Sequence, residues 1–275
     1  FGLAGKHDLA VDVTGDVQGV VKLNTLLIRD FPWTGTYFEG VPVELAAVPS
    51  PGYVFAGWSG DVQSDDPRIS VDLTSETSLT AHFEPAENPF FTRVNINEIC
   101  YAPDSANPSE DWVELFNRSN QYVDLSGWIL QDNNGEHLYR IREGTVVGPY
   151  GYYVLCRDRF RFRELHADVE AFEGNFGFGL SSTGDMVRLY DRQNKLVNIV
   201  TYEPAAPWPV VPEGFTLALR APEQDNFIAG SWAVSEEKYG TPGKRNFDFP
   251  DGIASRETTT GDLQLGNYPN PFSRS

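Results

Sequence analysis

Four groups of side chains in this chain are of types that could do chemistry. Cys156 and His166 would be a thiolate nucleophile and its base if the fold brought them together. Glu98, Asp111 and Glu114 could converge on a cation, and the acidic loop Asp61, Asp65, Asp66 could offer oxygen ligands to calcium. Arg157, Arg159, Arg161 and Arg163, interleaved with Phe160 and Phe162, have the charge and stacking surface that a single nucleic-acid strand requires. Against these stand absent signatures: there is no Gly-x-Ser-x-Gly elbow, no Gly-rich phosphate loop with a Lys and no His-Glu-x-x-His helix. The four histidines, His7, His82, His137 and His166, are scattered along the chain. With 39 acidic residues, paired carboxylates arise by chance and carry little information.

The elements that must position these groups are strands. Apolar residues alternate with polar or small ones at Leu9, Val11, Val13, at Val41, Val43, Leu45, at Ile69, Val71, Leu73 and at Leu79, Ala81, Phe83, the period of strands with one buried face. Turn-rich stretches, "VTGDVQG", "PSPGY" and "WSGDVQSDDP", separate them. Residues 1–85 thus form a small antiparallel β module. A Pro-interrupted connector follows at 86–93, and then seven β-rich runs: "VNINEICY", "DWVELFN", "DLSGWILQD", "GYYVLCRD", "DMVRLYD", "KLVNIVTY" and "FTLALRA". Over residues 94–247 they predict a Greek-key sandwich, so the whole is an all-β chain.

Placed on these strands, most candidates lose their chemistry. Cys156 lies in an apolar run and reads as core, which argues against the Cys156 and His166 pair. The Arg cluster follows that strand diluted by Asp158 and Glu164, as a solvated face or crossing segment would be. Glu98, if its strand is regular, shares a face with Ile96 and Cys100, so it is either buried with a partner or displaced by a bulge. A buried carboxylate satisfied by backbone amides is preferred to a cation site for Glu98, Asp111 and Glu114, and no residue is assigned as catalytic, cofactor-binding or metal-ligating. The spacing of Asp61, Asp65 and Asp66 fits no helix-loop-helix calcium site, and Pro67 follows directly, so a solvated turn is expected. His82 falls in the polar phase of its strand, and Trp58 reads as a packing aromatic and not a sugar platform. Asp124 and Asn117 suit turns in which the side chain bonds nearby backbone.

The net charge is −18, and residues 1–85 and 94–247 each carry eight more acidic than basic side chains, so both sections repel polyanions and nucleic acid is not an expected partner. No apolar run approaches the roughly 18 residues a membrane span needs. Two cysteines, Cys100 and Cys156, leave both the redox compartment and a bridge between them open. No cofactor is expected, calcium being the one ion the acidic loops could take.

Three resemblances refine this reading. Gly52, Tyr53, Phe55, Gly57, Trp58 and Gly60, followed by Thr80, Ala81 and Phe83, resemble the divergent bacterial repeat related to listerial internalin B repeats, extracellular β modules that act as spacers or adhesive stalks. Ile96, Asn97, Glu98, Ile99, then Trp112 to Leu115 with Asn117, then Val123 to Trp128 and Asp132 resemble a bacterial lamin tail domain, as do the downstream "FGLSSTGDMVRLYD" and "YGTPGKRN". That resemblance implies an immunoglobulin-like β-sandwich. Eukaryotic lamin tails are associated with DNA and chromatin, a role that the acidity of this section argues against transferring. After a linker-like stretch at 248–265, "NYPNPFS" within 266–275 resembles the first strand of the C-terminal sorting domain of the type IX secretion system. Together the resemblances imply a secreted or surface-attached protein of a Bacteroidetes-like bacterium, continued beyond both ends. The expected function is that of non-catalytic modules mediating adhesion, spacing or binding to a protein or extracellular polymer. The alternative is the C-terminal targeting part of a larger secreted enzyme, such as a spore-coat-kinase-like one.

Overall fold

Among the described residues the chain forms twenty strands and one short α-helix, more strands than its apolar runs alone predict. The computed structural model describes residues 5–14, 19–24, 26–50, 52–85, 93–106 and 109–248. The connector from 86 to 92 and the stretches 249–265 and 266–275, where the linker and sorting-domain readings fall, lie outside the described residues.

The N-terminal module contains β1 (Lys6–Val13), β2 (Gly19–Leu23), β3 (Leu26–Ile28), β4 (Trp33–Phe38), β5 (Val43–Pro49), β6 (Tyr53–Gly60), β7 (Arg68–Val71) and β8 (Thr77–Pro85). They form two four-stranded sheets, ordered β4-β1-β8-β6 and β3-β2-β5-β7. Pairing is antiparallel except between β1 and β8, which run parallel. Leu9, Val11, Leu45, Leu73, Leu79 and Ala81 close the core between the sheets, as their alternation predicts. Val41 departs from that pattern and is exposed, because the chain turns at Gly40 before β5 begins.

The second module begins with β9 (Val94–Cys100), β10 (Trp112–Asn117), β11 (Val123–Asp124), β12 (Ile129–Gln131), β13 (Leu138–Arg140), β14 (Val146–Val147) and β15 (Tyr152–Cys156). There follow α1 (Arg159–Leu165), β16 (Phe172–Gly174), β17 (Asp185–Tyr190), β18 (Leu196–Tyr202), β19 (Leu217–Leu219) and β20 (Trp232–Val234). A six-stranded sheet, β16-β15-β10-β9-β19-β20, packs on a four-stranded one, β13-β12-β17-β18, and a short β11-β14 pair flanks them. This is an immunoglobulin-like β-sandwich in an all-β chain. Val113, Leu115, Trp128, Leu130, Val187 and Val197 fill the space between its sheets. Each such fully buried side chain contributes on the order of 2 kcal/mol by leaving water.

The six-stranded sheet is covered on its outer face as well. There Cys100, Trp112 and Cys156 stand in a row under Phe162 of α1, which is why β9, β10 and β15 bury residues of both phases. The two modules touch through a small apolar cluster in which Val20 and Val48 meet Met186, Leu196 and Ile199. Arg29 reinforces it, donating to the carbonyl and the hydroxyl of Thr201, each at 2.6 Å, and lying 3.6 Å from Glu203.

Candidate functional site

A bulge decides where Glu98 points. In the β9 and β10 register Glu114 faces Glu98 but Leu115 faces Ile96, so Asn97 is the extra residue and the phase of the strand flips there. Ile96 and Ile99 both reach the core, while Glu98 shares the outer face with Cys100 and lies directly opposite Glu114. Both outcomes foreseen for Glu98, burial with partners and a bulge, therefore occur together. Glu98 and Glu114 are fully buried. The "YGTPGKRN" stretch crosses over them as a strap. The Thr241 amide donates to Glu98 at 3.0 Å, the Gly243 amide donates to Glu114 at 2.5 Å, and the Thr216 hydroxyl makes a short bond to Glu98. Asn97 donates to Glu114 at 2.8 Å, and Asn246 ties the strap to the carbonyls of Asn97 and Leu219. Burial is the main cause raising both acids, Glu98 to about 7 and Glu114 well above the ordinary carboxylate range. Gly240 has φ +77, and a Cβ there would come within 2.5 Å of the Glu98 Oε1, so the strap can approach only with glycine.

Asp111 does not join the pair. Its carboxylate accepts from the Leu180 amide at 2.7 Å, and burial raises it to about 6. Cys156 donates its thiol to the Glu173 carbonyl, and burial pushes it up to about 12. His166 packs against Trp112 and Phe162 and is lowered by burial to about 4. The thiol thus lacks the low pKa of a nucleophile, and the imidazole lacks a thiol to deprotonate. Cys100 and Cys156 are both free and buried. They face opposite sides of Trp112, two strand spacings apart, roughly 9.5 Å, which is beyond disulfide reach.

The Arg cluster is a helical turn. Asp158 caps α1 by accepting from the Phe160 and Arg161 amides, Phe162 plugs inward 6.0 Å from Trp112, and Phe160 stays exposed. Arg163 lies over Phe172 and Arg157 pairs with Glu110 at 3.3 Å, while Arg159 and Arg163 line one small pocket with Arg142. In the acidic loop, Asp61 accepts from the Ser78 amide at 2.7 Å and Asp66 from the Arg68 amide at 2.9 Å, the bonds of a closed turn. Among the described residues no three His, Cys, Asp or Glu side chains are grouped to hold a metal ion. Trp58 is buried 5.8 Å from Phe55, and Gly60, at φ +106, lets β6 lie close on the backbone of Ser78. His82 is half-buried with its Nε2 2.5 Å from the Ser59 hydroxyl. Asp124 accepts from the Ser126 amide, and Asn117 donates to the carbonyls of Gln121 and Gly148.

What strand patterning does not reveal is a cleft of about 1160 Å³ between the two modules. Lys22 of β2 and Arg68 of β7 enter it from one side, and Arg188 of β17 from the other. They come from three separate strands, so no spacing in the sequence unites them. The available signal is scarcity: residues 1–85 contain four basic side chains, and Lys22, Arg29 and Arg68 all contact the second module.

With the geometry in place, similarity to known families can be stated. Residues 91–204 match the family model of the Lamin Tail Domain, and residues 11–87 match that of the Divergent InlB B-repeat domain. A solved structure, the crystal structure of a DUF4876 family protein from Bacteroides thetaiotaomicron VPI-5482, is 10% identical, with 88% of this chain and 95% of that chain covered and a TM-score of 0.34. None of the curated proteins matches the sequence. Among the described residues no helix is long and apolar enough to cross a membrane.

Proposed function

We propose that the chain is a pair of non-catalytic interaction modules of a secreted or surface-attached bacterial protein, serving adhesion, spacing or partner binding. The observation that carries this reading is the structural engagement of the groups that could do chemistry. Glu98 and Glu114 hold down the strap, Asp111 holds the Leu180 amide, Cys156 donates to the Glu173 carbonyl, and His166 packs against Phe162 and Trp112. The repeat and the immunoglobulin-like sandwich support it, since both are module types whose surfaces bind and whose cores are structural. The "NYPNPFS" resemblance supports export. The test is labelling of intact cells of the source organism with a membrane-impermeant reagent, followed by peptide mapping of the native protein. Labelling of exposed lysines such as Lys6 before lysis is the expected result. Labelling only after lysis would overturn the surface assignment, and a catalytic domain in the native chain would make these modules the targeting end of an enzyme.

A further inference from the structure

The cleft between the modules gathers three cations on one turn. The carbonyl of Asp132 accepts a short bond from Arg188, the Oδ1 of Asn133 accepts from Lys22 Nζ at 2.5 Å, and the guanidinium of Arg68 lies against Gly135 so closely that a Cβ there would overlap it. Two of these cations come from the first module and one from the second. Their capacity to donate is far from exhausted. Arg188 is 7% exposed, yet its Nε is buried without a partner. No hydrogen bond or ion pair is made by the Arg68 guanidinium among the described residues.

The acids beside them are already engaged. Asp185 accepts from the amides of Asn133, Met186 and Ser181, at 2.9, 2.8 and 2.9 Å. Asp132 accepts from the Asn134 amide and meets His137 Nδ1 at 2.7 Å, and Glu44 accepts from the Ser70 hydroxyl. Burial lowers Lys22, and repulsion from Arg188 and Arg68 lowers it further, while Asp185 and Asp132 pull it back. The cleft thus holds two cations with donors open to a ligand, the exposed Arg68 and the half-buried Lys22, beside carboxylates whose own hydrogen bonds go to amides and neighbouring side chains.

We propose that this cleft binds an anionic group, a carboxylate or sulfate, carried on a short hydroxyl-rich oligosaccharide. The anion would bridge the Arg68 guanidinium and the remaining donors of Lys22 Nζ, with the buried Arg188 adding positive charge behind them; guanidinium forks favour oxyanions. The saccharide is argued from the cavity: about 1160 Å³ is far more than one inorganic ion occupies, and between apolar walls that include Val48, Phe55 and Met186 the side chains of Gln131, Asn134 and Ser181 offer amides and a hydroxyl, a mixed lining suited to the faces and hydroxyls of sugar rings. A long polyanion is disfavoured, because it would extend beyond the cleft onto a chain of net charge −18. This site deepens the interaction-module reading and rests on it.

The test is calorimetric titration of the 275-residue protein with tetragalacturonate, with a sulfated galactose tetrasaccharide, with neutral galactotetraose and with a thymidylate oligonucleotide. One or both acidic sugars should bind, the better one identifying carboxylate or sulfate, and the neutral sugar should not. Arg68→Gln and Lys22→Gln should each weaken binding about tenfold, the loss of one charge-assisted contact, with an unchanged melting temperature for Arg68→Gln. The proposal is overturned by no binding of either acidic sugar at millimolar concentration, by equal binding of the neutral one, by tighter binding of the oligonucleotide, or by indifference to Arg68→Gln. Any of these would leave the interaction-module reading standing if cell-surface labelling succeeds, whereas cleavage of the added sugar, seen by mass spectrometry, would remove that reading too.

Discussion

Glu98 and Glu114 show how burial turns an acidic side chain from a reactive group into a fastener. Each carboxylate accepts amide or hydroxyl hydrogens from the strap and its neighbours, yet desolvation outweighs those bonds and raises both acids. A carboxylate whose folded pKa lies above its unfolded value contributes most below the unfolded value, and its contribution is lost as pH rises through the folded one. For Glu98 that window runs from the ordinary value of 4.5 to about 7. His166 acts in the opposite sense, losing its contribution as pH falls from 6.5 toward about 4. Glu98→Gln, which keeps an acceptor for Thr216, is expected to reduce the loss of stability between pH 5 and pH 8, and Glu98→Ala to cost on the order of 3 kcal/mol at pH 5 and less at pH 8. Urea unfolding of the three proteins at both pH values checks this; a wild type equally stable at both, with Glu98→Gln no different, would contradict it. The burial of Glu98 was legible from its place in an apolar strand. Its face was not, because one inserted residue at Asn97 inverts the phase and leaves no mark in composition.

At the scale of elements, the seven β-rich runs of the second section all form strands, since alternating or continuous apolar residues flanked by turns leave little else to form. In the first section alternation misses β2, because Val20 and Val21 are both buried, Val21 in the module core and Val20 against the second module; it also misses β3, β4 and β6, the last of which runs into "WSG", read as the start of a turn. The strap shows the converse: the likeness of "YGTPGKRN" to the end of a lamin tail domain lies beyond the matched residues 91–204, and its role needs the fold, because its partners lie more than a hundred residues earlier. Gly240→Ala would combine a strained left-handed φ of +77 with a clash on Glu98 and Thr216 and should cost about 2 kcal/mol or more. Hydrogen exchange at the Thr241 and Gly243 amides should rise with it. Unchanged protection of those amides would mean that the strap is not what closes over the carboxylates.

At the scale of the molecule, the two modules are docked and not merely tethered. Apolar contact between Val20, Val48, Met186 and Ile199 is flanked on one side by Arg29 on Thr201 and on the other by Lys22 on Asn133, and the cleft exists because of that docking. Arg29→Ala should weaken the docking by about 1–3 kcal/mol, the value of charge-assisted bonds to partly buried acceptors. Small-angle scattering would then report a wider distribution of dimensions, and an unaltered profile would show Arg29 to be dispensable. Strand patterning, which treats each module separately, shows none of this; its one trace in the sequence is the rarity of cations in the first section. The proposed role, binding extracellular material without transforming it, is tested by sedimenting the purified protein with insoluble envelope and exopolymer from the source organism. The protein should be retained in the pellet, with no sugar or peptide fragments released into the supernatant. Protein left in the supernatant, or material degraded by it, would overturn the proposed role.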